Sequence, residues 1–156
     1  MAQVHRGTGT SCSCHTTSLP TPAGEIVVVR VSGEIDLSND HVLQAALTEA
    51  ARRRPSHVIV DLVGTTFCSM RGLAFLVNAA AGPAIRRDRY ALTGAAPAIE
   101  RALARGWSED DLPARHPTTR TAVLAAMAEQ HTGDPGGDIT AHLRTAMSAL
   151  GETSPP

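Results

Sequence analysis

The chain has 156 residues, enough for one domain with its own core. Its net charge of -1 and the lack of a basic stripe exclude an ordinary nucleic-acid binder. No stretch approaches the roughly 18 uninterrupted apolar residues of a membrane span. Hydrophobic residues make up 42% but aromatics only 3%, so the core has to be built from Val, Leu, Ile and Ala. All 14 basic residues are Arg, a pattern of codon bias in a GC-rich genome rather than a need for guanidinium groups.

Residues 1–11 are small and polar and read as a disordered tail. With no apolar run after Met1, no signal peptide is expected, and the chain reads as cytoplasmic. Residues 12–17 alternate weakly, as a first edge strand would. Three cysteines, two of them in Cys12-Ser13-Cys14, make neither a disulfide framework nor a paired zinc motif. Residues 19–24 form a turn by their Pro and Gly content. Residues 25–31 are the strongest strand, and their continuous β-branched run predicts burial on both faces and a central place.

Gly33-Glu34-Ile35-Asp36-Leu37 makes a tight exit from that strand. Ser38 or Asn39 caps a helix with Val42, Leu43, Ala46, Leu47 and Ala50 on one face. Arg52, Arg53 and Arg54 close it at the negative end of its dipole, as a solvated last turn or, functionally, an anion patch. Pro55 ends the helix, and residues 57–61 are the next strand.

The stretch over residues 58–77 organises the rest. A short buried strand leads into a polar turn at Gly64-Thr65-Thr66. Ser69 then caps a helix with Leu73, Leu76 and Val77 at helical spacing. The free N–H groups and partial positive charge of such an end suit an anion or a phosphorylated side chain. Cys68 on this loop reads as a small half-buried residue, with a redox thiol as the alternative.

Gly82-Pro83 breaks the pattern before a further helical turn over residues 84–87, and residues 89–93 form a strand. Pro97 starts a helix with Ile99, Leu103 and Ala104 inward, and Gly106 ends it. Trp107 packs over that end or helps to form a partner site. Residues 111–116 hold a last short strand, and Thr118 or Thr119 starts a helix carrying Val123, Leu124, Ala126 and Met127. Residues 131–137 are linker-like, and Asp138 caps a helix with Ile139, Leu143, Met147 and Leu150 in a stripe. The organisation is therefore a tail over residues 1–11, a domain over 12–130, and a linker, short amphipathic helix and tail over 131–156. The element order predicts an α/β fold: a mixed β-sheet of four to five strands against about four helices, plus a short C-terminal helix.

Catalytic patterns are missing. The histidines make no His-Glu-x-x-His, and there is no Gly-x-Ser-x-Gly elbow, Walker loop or Gly-x-Gly-x-x-Gly. Asp36 and Asp61 as an acid/base pair would need a third positioning group, so capping and turn roles are expected of them. No catalytic, cofactor or metal residue is assigned, and the chain is not read as an enzyme.

The element order, with Gly33-Glu34-Ile35-Asp36 after a central strand, residues 61–77, Leu92-Thr93-Gly94 and Gly106-Trp107, resembles the STAS domain of bacterial anti-sigma factor antagonists. The resemblance covers residues 12–127. It implies a regulator that binds an anti-sigma factor of the serine-kinase (histidine-kinase-like ATPase) type and thereby frees a sigma factor, acting as a monomer or weak dimer, with no direct nucleic-acid or membrane contact. In that family the kinase phosphorylates a serine at the start of the central helix, in a motif Asp-Ser-Ser-Gly, and this abolishes binding. Aligned on Gly72, this chain reads Ser69-Met70-Arg71-Gly72, so Arg71 replaces the acceptor. Either Arg71 keeps the protein permanently able to bind, or its bulk selects a different partner. Ser69 is the alternative acceptor hydroxyl, with N-capping its expected role. The partner surface implied by the resemblance joins Glu34, Asp36, Ser69, Met70, Arg71, Gly72, Gly94, Ala95 and Ala96. A STAS module that binds a nucleotide or lipid, or serves a transporter ATPase, is the alternative function.

Overall fold

In the computed structural model, described over residues 3–6, 11–81, 83–132 and 139–151, the β-branched run at 26–29 is buried on both sides. It forms the middle of β3 (Gly24–Ile35). Side chains alternate between faces along a strand. Val27, Val29 and Val31 therefore enter one core, while Ile26 and Val28 enter another. The prediction of a central strand holds.

The sheet has six strands in chain order, β1 (Gln3–Arg6), β2 (Cys12–Thr21), β3, β4 (His57–Cys68), β5 (Tyr90–Thr93) and β6 (Ala114–His116). The first three are antiparallel neighbours, and β3 to β6 are parallel. The mixed α/β architecture is as expected, with one strand more. That strand lies in the expected disordered tail: residues 3–6 pair with 13–16, which makes β2 interior rather than an edge. A short polar segment has no pattern of its own to announce it; the free ladder groups of β2 supply its partners. The expected turn at 19–24 shrinks to Pro22-Ala23, because residues up to Thr21 pair with β3.

Three parallel crossovers step the same way across the sheet. They place α1 (Asp40–Arg52), α2 (Met70–Asn78) and α3 (Pro97–Gly106) over one face. The other face would be bare but for α4 (Thr119–His131) and α5 (Ile139–Ala149). Met127 of α4 and Met147 of α5, with Leu150 just beyond, close over Leu19, Ile26, Val28 and Ile59. The apolar stripe read in the C-terminal segment thus docks on the domain. Its end is pinned where Arg30 meets the Leu150 carbonyl at 3.4 Å.

Further readings need correction: the exit expected from Gly33 onward begins only after Ile35, since Gly33, Glu34 and Ile35 are still paired with β4. Gly64-Thr65-Thr66 is strand, not turn, because β3 continues to Ile35 and offers partners to Gly64, Thr65, Phe67 and Cys68. Two register shifts, between Arg30 and Ser32 and between Gly33 and Glu34 of β3, each set one extra residue of β4 against it. The expected helical turn over 84–87 is absent; short 3₁₀ turns at Ala79–Ala81 and Arg87–Arg89 flank that stretch. Gly82, the linker residues 133–138 with the Asp138 cap, and the tail 152–156 lie outside the described residues.

Candidate functional site

The extended tip of β3 and β4 builds the site. The Ile35 carbonyl accepts the Ser69 N–H at 2.7 Å, which ties the end of β3 to the start of α2. Ser69 is the N-cap, its hydroxyl accepting from the Gly72 N–H at 3.1 Å. Gly72 is forced by packing: a Cβ there would sit 2.8 Å from both the Cys68 Sγ and the Ile35 Cγ2. The loop before α1 is fastened by Asp36, whose Oδ1 accepts from the Ser38 and Asn39 N–H groups at 2.8 and 3.2 Å. Asn39 occupies the N-cap position without capping by its side chain. It turns back instead, donating to the Glu34 carbonyl and accepting from the Asp36 N–H, both at 2.9 Å.

Arg71 does not project freely. Its Nε lies 2.7 Å from Oδ2 of Asp40, and its second guanidinium nitrogen donates to Oδ1 at 3.4 Å. The closer approach is a charge contact more than an aligned hydrogen bond, since Oδ2 has no donor aimed at it. Asp40 is buried in the first turn of α1, while Arg71 is 60% exposed and also lies 5.9 Å over the Phe75 ring. A cation at a helix start is slightly unfavourable against the dipole, and Asp40 offsets it.

Among the described residues, the exposed large apolar side chains are Leu37, Val63, Phe67 and Met70. All four belong to this end: Leu37 follows β3, Val63 and Phe67 stand on the outer half of β4, and Met70 opens α2. Phe67 lies opposite the exposed Glu34 in the ladder. The loop after β5 abuts the same region, since a Cβ on Gly94 would come within 3.1 Å of Val63. Met70 reaches the end of α3, its Cε 3.2 Å from where a Cβ on Gly106 would be. The predicted residues Glu34, Asp36, Ser69, Met70, Arg71, Gly72 and Gly94 are therefore gathered at one end. Ala95 and Ala96 belong there by position but pack partly on the core.

Leu37, Val63 and Phe67 escaped the sequence reading. Val63 and Phe67 flank Gly64-Thr65-Thr66, whose turn-like composition hid the strand; their signal was apolar residues on either side of a polar run.

Residues 21–106, more than half of the chain, match the family described as "Mlab, STAS domain". This chain belongs to the STAS domain family. Among solved structures, the STAS chain is similar to an anti-sigma factor antagonist from Mycobacterium paratuberculosis, at 23% identity and a TM-score of 0.60, covering 72% of this chain and 92% of that one. The anti-sigma factor antagonist SpoIIAA in its unphosphorylated form also matches, at 18% identity and a TM-score of 0.48, over 72% of this chain and 97% of its own. No curated protein sequence matches the chain. The first likeness carries the fold.

The remaining candidate residues of this STAS domain have structural roles. Asp61 is buried and bound to Arg30 Nε at 2.9 Å, and its other oxygen accepts from the Val63 N–H at 3.0 Å. Asp36 works as a loop fastener, so neither is arranged as an acid/base pair. Burial pushes the Cys68 thiol up to about 12, with the nearby Cys12 adding to the effect. A thiol held protonated is a poor nucleophile, which favours the packing role over redox chemistry. Trp107 packs against the core at the end of α3. Among the described residues there is no cluster of His, Cys, Asp or Glu suited to a metal, and no helix long and apolar enough to cross a membrane.

Proposed function

We propose that this STAS domain is an anti-sigma factor antagonist, docking on a serine-kinase anti-sigma factor through the end that carries Leu37, Val63, Phe67 and Met70. The observation that carries the reading is the Arg71–Asp40 pair amid that apolar cluster. The family resemblance puts a phosphoacceptor at residue 71. Here an arginine stands there, neutralised by a carboxylate of its own chain and lying over Phe75. Phosphorylation would add about -1.5 to -2 charges at this point; the side chain of Arg71 offers no hydroxyl to take them. Ser69, the alternative acceptor, uses its hydroxyl to cap α2, and capping is the role this reading gives it. The antagonist is accordingly unswitched: its binding does not respond to the kinase's own activity.

Coupling partners by exposed apolar side chains within a polar rim matches the usual anatomy of interfaces. Glu34, Ser38 and Arg71 supply that rim. The test is a pull-down from the native cytoplasm with wild-type, Arg71→Ser and Arg71→Glu proteins. Recovery of a histidine-kinase-like ATPase by the wild type, unaffected by ATP and lost in Arg71→Glu, supports the proposal. Recovery only by Arg71→Ser overturns it, because the arginine then blocks this partner.

A further inference from the structure

At the far end of the parallel strands from this site lies a cleft of about 600 Å³ between the end of α1 and the segment before β5. Arg52, Arg54, Arg86 and Arg89 line it, over a floor that includes Val58, Pro83 and Ile85. Two carboxylates face these four guanidinium groups: Asp88 lies 2.6 Å from Arg86 and 3.8 Å from Arg89, and Glu49 lies 3.7 Å from Arg52. Arg54 has no acidic partner among the described residues. The cleft therefore keeps an excess of positive charge beside an apolar wall.

The backbone of Arg54 singles it out. Residue 54 directly follows the C-cap of α1 and has φ +49°, the left-handed conformation that helix ends usually assign to glycine. It is the non-glycine residue with positive φ among the described residues. A glycine would relieve that strain, and the same compositional bias that favours arginine codons supplies 13 glycines elsewhere in this chain. Arg54 is exposed, holds a conformation that favours glycine, and lines the cleft without an acidic partner among the described residues, so its charge is available to an anionic ligand.

We propose that this cleft binds a small phosphate-bearing molecule, a phosphate ester or diphosphate whose anionic part meets the arginines and whose apolar part lies on Val58, Pro83 and Ile85. Guanidinium forks match phosphate oxygens in pairs, and the volume lies within the usual range for small-molecule sites. The site is separate from the surface that carries Arg71 and stands whether or not that surface binds an anti-sigma factor.

The experiment is a thermal-shift titration of the full chain with inorganic pyrophosphate and with phenyl phosphate, each against sodium chloride at matched ionic strength, and with inorganic phosphate as the reference for the phenyl ester. The wild type is expected to be stabilised saturably by both, with phenyl phosphate binding at least several-fold tighter than inorganic phosphate because of the apolar floor. Arg54→Gly is expected to melt higher than wild type without ligand, yet to bind pyrophosphate at least tenfold more weakly. Arg52→Gln, at an exposed and lightly paired position, checks the charge contribution without touching the strained backbone. A wild-type response no larger than that of chloride overturns the proposal. So does undiminished pyrophosphate binding in both variants.

Discussion

Arg71 and Asp40 face each other across the gap between two helix N-termini, 31 residues apart in sequence and 2.7 Å apart in space. Each helix start favours negative charge. Asp40 answers that preference for α1, and Arg71, the wrong sign for α2, is compensated by leaning towards α1. A double-mutant cycle with Arg71→Gln and Asp40→Asn is expected to give a coupling of about 1 kcal/mol, at the upper end for a half-exposed pair. Chemical denaturation of the four proteins measures it. Additive single losses would show that the pair contributes nothing.

Phe67 is half exposed and Val63 more so, and neither anchors a core. Phe67→Ser should leave stability within about 0.5 kcal/mol of wild type. On the proposed function it should abolish capture of the anti-sigma factor, as loss of an aromatic anchor does at interfaces. Urea melts and the pull-down give the two readouts. A strong loss of stability instead would make Phe67 a structural residue.

Gly72→Ala tests the tightness of the α2 start. The added methyl would meet the Cys68 sulfur and an Ile35 methyl at 2.8 Å, so both must move. A loss of about 1–3 kcal/mol is expected from overpacking, read as a lower urea midpoint at unchanged m-value.

The Cys68 thiol gives the fold an alkaline limit. In the unfolded chain it ionises near 9.0, whereas burial holds it protonated to about 12 in the folded state. Below pH 9 both states keep the proton and stability is flat with respect to this group. Between about 9 and 12 the unfolded chain loses the proton first, so stability falls as pH rises. Cys14, raised by its contact with Cys12 and by burial, and Tyr90, raised by burial, act in the same direction. Cys68→Ala should therefore flatten part of the decline, measured by urea midpoints from pH 8 to 11. At pH 8, iodoacetamide should label Cys68 more slowly in the native protein than in urea.

What could be read from the sequence was whatever its own neighbourhood determines. The unbroken run at 26–29 can be buried only from both sides, and it lies at the sheet centre. Ser69 before Leu73, Leu76 and Val77 announces a capped helix, and the hydroxyl does cap. Pro97 opens α3 in the same way. Local signals failed where partners come from afar. Gln3–Arg6 become a strand because β2 has a free edge, and Gly64-Thr65-Thr66 because β3 runs on beside them. The loops around Glu34, Ser69 and Gly94 lie at one end because each follows the C-terminal end of a parallel strand. The Arg71–Asp40 pair and the apolar side chains around it depend on how two helices approach, which no periodicity encodes.

The strands lie in the sheet in the order in which they are synthesised. Each one can be laid beside its predecessor as the polypeptide leaves the ribosome, with no long-range insertion to wait for. The two faces do not mature together. Once α3 has emerged, α1, α2 and α3 can seal one side, but Leu19, Ile26, Val28 and Ile59 stay wet until Met127, Met147 and Leu150 arrive. A nascent chain halted between α3 and α4 is thus a half-covered sheet with a sticky back. Ribosome-associated chaperones should hold it there and release it when α5 docks.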